Sequence, residues 1–371
     1  MNFIAITMFA ALAAATALIA SDYDATDSRS NIGNPALDSS QLSAECQKYV
    51  DDVGEKAVTD FGLGILEGAG GLFGYGAEDG SEEPPPNPLY PAPMEKGALY
   101  FGGTDWGRFI PETLVLNDGV RPDVAVITQN ALADGNYMAV IRERYGKKYA
   151  IPSEDDHEDA FREFVEGVQS GRIDARDAVE IEDGRVTITG ALAVMKINGI
   201  LAKKLFEKNK GQHAMYVEES YPIEWMYDYM TPHGLAMKLN TEKSGAVSDE
   251  EVRDNDEFWD WMTKRLLSDP QFVKRRAETW RRTADGKLDP DHRMGVRAFA
   301  KLRLAHAKLY ARQAKNPIAF DRARQAIAID PQDPETGRYY AAFLESSKLD
   351  AAREDFLGCL KKRGVDTDGW R

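Results

Sequence analysis

The sequence predicts an α/β fold, a small, mostly parallel Rossmann-like sheet with helices on both faces, followed by an all-α region. Three observations carry that expectation. Residues 98–145 read as strand, glycine loop, helix, strand, polar loop, helix. Strand and helix signals then keep alternating to about Asn240, the order of a mostly parallel sheet covered on both sides. Beyond Ser248 the pattern is helical throughout and ends in two tetratricopeptide-like units.

Composition sets the outer limits. At 371 residues, with 43% hydrophobic and 29% charged side chains, the chain has room for two or three globular domains. Its formal net charge of −15 excludes a general nucleic-acid binder, which needs a basic footprint. The charge is uneven, because residues 264–324 hold 17 Lys/Arg against 6 Asp/Glu. That stretch either docks on the acidic α/β part, stays solvated, or meets anionic lipid or an acidic partner. Cys46 and Cys359 leave two alternatives, one long-range disulfide or two free thiols.

The elements follow in order. Phe3–Ala20 is an apolar run on the border between a signal-peptide core and a spanning helix. Leu18 and Ala20 make a mediocre cleavage site, no Lys or Arg precedes the run, and acidic residues follow it. Residues 1–21 are therefore read as a signal peptide or membrane anchor. The chain is expected to be extracytoplasmic (periplasmic), anchored to the inner membrane by residues 3–20. Residues 22–97 combine a polar tether, helical character at Ala44–Phe61 and an irregular Gly/Pro-rich connection at Gly62–Pro93.

In the α/β domain, residues 98–247, strands are expected at Ala98–Phe101, Asp123–Thr128, His213–Glu218 and Leu235–Asn240. Helices are expected at Asp134–Tyr145, Asp156–Gln169 and Leu192–Asn209. A ribbon at Val179–Thr189 turns on Asp183-Gly184. The helical domain, residues 248–371, opens with Asp249–Leu267 and Pro270–Thr283. Trp259 and Trp261 lie two apart there, so only one is expected to be fully buried. One repeat-like unit spans about 297–331, with Ala307, Tyr310, Ala319, Ala326 and Pro331 at its small, aromatic and proline positions. The other spans about 334–364, with Ala341, Leu344, Ala352, Phe356 and Cys359. Two units are too few to stand alone, so they should pack on the helices before them.

In open α/β sheets ligands bind beyond the carboxyl ends of the strands. Three loops feed that edge here. In the first, Gly102 and Gly103 allow close backbone approach, and Thr104 or Asp105 can cap the next helix. Trp106 offers a stacking face, and Arg108 a clamp for phosphate or carboxylate. The spacing matches neither the dinucleotide fingerprint nor the P-loop, and the same loop also reads as a tight, well-capped turn. In the second loop, Gln129 and Asn130 suit a hydroxyl-rich ligand. In the third, Glu218 and Glu219 add carboxylates, with Trp225 one helical turn on. Asp105 and Glu218 are the candidate general acid/base pair.

No cofactor and no metal are expected. The acidic run Ser153–Asp159 reads as a capped helix start, with Ser153 as cap and Asp156 closing a capping-box-like pattern. The histidines show no ligand spacing.

The stretch GGTDWGRFIPETLVLNDGVRPDVAVITQNALADGNYM, with HAMYVEES and MTPHGLAMKLN, is similar to the extracytoplasmic part of a bacterial membrane-protein family. That family resembles polytopic protein O-mannosyltransferases of the GT-C type. The resemblance covers about Ala98 to Arg324. Its most recognisable pieces are the Gly-Thr-Asp loop, Arg121–Val124 and His233–Leu235. In the family, a multi-span glycosyltransferase module precedes a small α/β domain, often followed by tetratricopeptide repeats. The chemistry resides in the membrane module, which this sequence does not contain. The resemblance thus implies a place in envelope glycosylation without turnover. The expected function is a membrane-tethered, non-catalytic accessory protein that holds a protein partner through its repeats. The alternative is a glycan-active transferase or hydrolase, or a carbohydrate-binding module, using the rim.

Overall fold

The computed structural model describes residues 38–73, 83–103, 106–174, 179–182, 185–188, 190–218, 223–279, 281, 282, 284, 289, 293–365 and 367. The apolar run at 3–20 lies outside the described residues. Among the described residues, no helix is long and apolar enough to cross a membrane.

Helices α1 (Ser39–Val53), α2 (Glu55–Leu66) and α3 (Gly68–Phe73) precede the sheet. Strand β1 (Leu99–Gly102), α4 (Trp106–Leu116), β2 (Ala125–Thr128) and α5 (Gly135–Tyr145) follow in the predicted order. Next come α6 (Glu154–Gln169), the ribbon of β3 (Val179–Glu182) and β4 (Arg185–Ile188), and α7 (Ala191–Asn209). Strands β5 (Met215–Val217), β6 (Met230–His233) and β7 (Ala236–Leu239) complete the sheet. The chain continues with α8 (Asp249–Ser268), α9 (Pro270–Ala277), α10 (Met294–Arg312), α11 (Asn316–Ile329), α12 (Pro334–Ser346) and α13 (Asp350–Lys362).

The fold is mixed α/β, with a five-stranded sheet in the order β2-β1-β5-β7-β6. Strand β1 is parallel to both β2 and β5, whereas β7 is antiparallel to β5 and β6. Only β7 therefore opposes the common direction. The sequence reading missed β6, whose Pro232 disguises a strand. A proline is tolerated there because β6 is an edge.

Alternation along the strands builds two cores. Leu99, Phe101, Ala125, Ile127, Met215 and Val217 face one, with α5, α6 and α7 over them. Tyr100, Val126, Tyr216 and Leu235 face the other, under α1, α2, α4, α8 and α10. Burial on both faces explains why these strands read as unbroken apolar runs.

The stretch predicted as tether and irregular connection is a correction. Leu42, in the expected tether, and Leu66 and Leu72, in the expected irregular connection, are buried in the second core beside Tyr49, Val53 and Phe61 of the stretch expected to be helical. Glycines at 62 and 64 suggested a loop because glycine disfavours helix. Instead they let α2 approach its neighbours: a Cβ on Gly62 would lie 2.4 Å from Leu114 Cδ1, and one on Gly64 2.7 Å from Leu235 Cδ1.

The basic stretch is largely neutralised within the chain. Arg265 pairs with Asp60, Arg275 with Asp52, Arg293 with Asp330, Arg303 with Asp256, and Lys308 with Glu335. These acids come from the N-terminal helices and the helical region itself, while Arg312 reaches Glu224 of the α/β part, one of the alternatives read from the sequence. Trp259 is fully buried, whereas Trp261 keeps 5% of its surface exposed. Trp259 donates to the Gly234 carbonyl and Trp261 to that of Glu83.

Consecutive helices from α10 to α13 pack on one another. Ala307, Tyr310, Ala319, Ala326, Ala341 and Leu344 are buried. Ala352 and Cys359 are exposed, and Leu360 is the residue α13 buries. Both cysteines are free thiols.

Candidate functional site

Because β1, β2 and β5 run parallel, the loops after them share one edge. Their meeting point is the start of α4. Tyr100 Oη donates to the Gly107 carbonyl at 2.9 Å, fixing the first turn of the helix over the strand. Gly102 allows that approach, since a Cβ there would lie 2.5 Å from the same oxygen.

Glu218, directly after β5, is buried. Its Oε2 accepts from the Gly103 amide at 2.9 Å. A Cβ on Gly107 would stand 1.9 Å from that carboxylate oxygen. The carboxylate therefore sits on the N-terminus of α4, where partial positive charge and free N–H groups favour an anion. The chain fills this position with its own side chain. Burial, and secondarily the Glu218 charge, push the Tyr100 hydroxyl well above its ordinary pKa.

The loop after β2 joins the same place. Gln129 Nε2 donates to the Glu218 carbonyl at 3.4 Å. Gln129 is fully buried, and both its Oε1 and Asn130 Oδ1 are buried without a hydrogen-bond partner. The loop is pinned by Asn198, whose Nδ2 donates to the Asn130 carbonyl at 2.8 Å and whose Oδ1 accepts from the Ala133 amide at 2.6 Å. Asn198 escaped the sequence reading. Its signal was a lone amide inside the otherwise apolar stretch of α7.

Three predicted site residues do other work. Trp106 is 2% exposed and packs on Tyr49, Phe61 and Phe299, so its ring is core and offers no open stacking face. The first turn of α4 turns residue 106 towards α1, α2 and α10. Arg108 is buried, with Nε donating to Glu112 Oε2 at 3.1 Å and its guanidinium 4.9 Å from the Phe109 ring. Arg144 donates to the other Glu112 oxygen at 3.0 Å. Trp225 is half-buried, donates to the Gly199 carbonyl at 2.9 Å and packs on Phe206. Thr104, Asp105 and Glu219 lie outside the described residues, as does the geometry of an Asp105–Glu218 pair.

Among the described residues no group of His, Cys, Asp and Glu could hold a metal ion. Ser153 and Asp156 do form a capping box. A groove of about 370 Å³ lies between α1 and α9, lined by Asp51, Asp52, Gln271, Lys274, Arg275 and Glu278.

The other recognisable sequence pieces are staples. Arg121, in a left-handed conformation with φ of 52°, donates to Asp123 and to the Leu66 carbonyl. Asp123 accepts from the Gly97 amide, and Arg121 holds its carboxyl well below the usual range. His233 bonds to the Ala92 carbonyl, and burial lowers its pKa to about 4. No protein-family model, no curated protein and no solved structure matches the chain. What the residues themselves do carries the functional reading.

Proposed function

We propose that this protein is an extracytoplasmic, membrane-tethered accessory protein that holds a protein partner and performs no catalysis itself. In this reading the sheet layer is Rossmann-like, α10–α13 are two tetratricopeptide-like units, and the setting is envelope glycan or glycoprotein assembly. One observation carries it. Glu218, the described member of the candidate acid/base pair, is bound by the Gly103 amide and packed on Gly107. A carboxylate seated on a helix N-terminus and packed against its backbone is already committed within the chain, which suits structure better than proton transfer. Arg108 and Trp106 are likewise engaged within the chain.

The partner surface is assigned to the outer end of the helical region. There α13 buries Leu360, while Leu349 is 46% exposed. The test is gentle purification of the tagged full chain from membranes, followed by cross-linking and sizing. The expected result is a complex of fixed stoichiometry that Leu349→Glu weakens. Recovery of the lone monomer counts against the proposal. So does a glycan-transfer or hydrolysis activity that Glu218→Gln abolishes.

A further inference from the structure

The helical region ends on a flank that its own helices leave open. Consecutive helices from α10 to α13 pack on one another, and a line of touching rings follows them outward. Phe320 of α11 lies 5.1 Å from Tyr340 of α12, which lies 4.9 Å from Phe356 of α13, centroid to centroid. All three rings are only half-buried. On α13 itself Ala352 and Cys359 are exposed, and Leu349 at the helix cap is 46% exposed. Spacings of three, four and three residues place Leu349, Ala352, Phe356 and Cys359 in one stripe along the helix. A stack of helices in water closes with a polar outer face. This one closes with an apolar stripe, which is the surface one helix offers to another.

Size and charge both fit the stripe to a second copy of itself. Large and small residues alternate along it, as Leu349, Ala352, Phe356 and Cys359. Laid antiparallel on its own copy, Leu349 faces Cys359 and Ala352 faces Phe356. Each bulky side chain then meets a small one, the condition for close packing between helices. The charges agree with this pairing. Helix α13 carries Asp350, Glu354 and Asp355 against Arg353, Lys361 and Lys362, so it is neutral in a chain of net charge −15. Two copies of an acidic protein repel least where each is locally neutral. The same register brings Lys361 and Lys362, at the end of one helix, beside Asp350 at the start of the other. It also sets the two helix dipoles in opposite directions.

We propose that the outer flank of α13 binds the same flank of a second copy of this chain, the two helices antiparallel about a two-fold axis between Ala352 and Phe356. Each copy uses the same patch, so the contact closes on itself as a dimer. Leu349 and Phe356 are the anchors, and Ala352 and Cys359 are the recesses that receive them. The inference rests on the reading above for the place of the partner surface, and it names what covers that surface.

The test is sedimentation velocity on the purified full chain in mild detergent, with no other protein present, over a range of concentrations. A dimer that dissociates on dilution is expected. Ala352 is exposed, so Ala352→Arg keeps the fold and puts a bulky cation where Phe356 of the second copy must fit. It should weaken association about a hundredfold. Should that variant fail to fold, Cys359→Arg makes the same comparison. Leu192→Arg, at an exposed leucine of α7, should leave association unchanged. The inference falls if the chain is monomeric at every concentration, or if the dimer persists in Ala352→Arg. It falls equally if Leu192→Arg dissociates the dimer as Ala352→Arg does. A purified monomer, with membranes still yielding a complex that Leu349→Glu weakens, overturns this inference and leaves the partner reading standing. A lone monomer in both preparations overturns both.

Discussion

The Glu218 carboxylate occupies the space that a side chain on Gly107 would need, with Oε2 1.9 Å from the position of a Cβ there. Position 107 is in the first turn of α4. By intrinsic preference alone, alanine would be favoured over glycine there by about 1 kcal/mol. The steric conflict has the opposite sign and is larger. Gly107→Ala is therefore expected to destabilise the chain by about 1–3 kcal/mol, read from urea denaturation. A stabilised variant would show that the carboxylate leaves the helix end at little cost.

Trp106 belongs to the core. Its ring sits within 5.3 Å of both Tyr49 and Phe61, centroid to centroid. Trp106→Ala should cost about 3–5 kcal/mol of stability, the range for a large aromatic removed from a packed core. A variant of unchanged stability would instead place the ring outside the packed core.

Arg265 and Asp60 tie the N-terminal helices to α8 through two hydrogen bonds of 2.7 and 2.8 Å. Both side chains are buried, so Arg265→Met leaves a carboxylate without its guanidinium in a dry site. The expected loss is about 3–5 kcal/mol, while the double variant Arg265→Met with Asp60→Leu should lose clearly less. A double-mutant cycle in denaturant measures the difference. Additive losses would show that the pair is not coupled.

Two histidines, His306 buried and His233 half-buried, make stability depend on pH. Burial lowers His233 to about 4 and, helped by the Arg303 charge, His306 to about 3, both from 6.5. Below about pH 6.5 the unfolded chain takes up protons that the folded chain refuses. Their contribution is complete above that pH and declines as the solution is acidified towards 4 and then 3. Melting temperature should fall from neutral pH into this window, and the double variant His233→Gln with His306→Phe should flatten the slope. An unchanged slope would mean that both rings already protonate in the folded chain.

The two thiols should differ in reactivity. Cys359 is exposed, whereas Cys46 is half-buried. Burial pushes the Cys46 thiol up to about 11, and its Sγ lies 3.0 Å from Thr113 Oγ1. Since the thiolate is the reactive form, maleimide at neutral pH should modify Cys359 far faster than Cys46. Equal rates would place Cys46 in an open environment.

Local rules made much of this protein legible in its sequence. Unbroken apolar runs marked β1, β2 and β5, and Ser153 with Asp156 marked the start of α6. The helical pattern beyond Ser248 was legible as well. Parallel order then brought three distant loops to one edge, as Gly103, Gln129 and Glu218 show by their hydrogen bonds. These features depend on residues near one another along the chain, or on strand direction alone. The remainder depended on which surfaces meet. Gly62 and Gly64 look like loop residues until α4 and the β6–β7 hairpin lie against them. Trp106 looks like a ligand platform until α1 and α2 cover it. The basic stretch looks like a docking surface until Asp52, Asp60 and Asp256 reach it. Glu218 looks like a free carboxylate until α4 starts above it. Each of these outcomes turns on contacts between remote segments, and only packing in three dimensions selects among the partners that local preference leaves open.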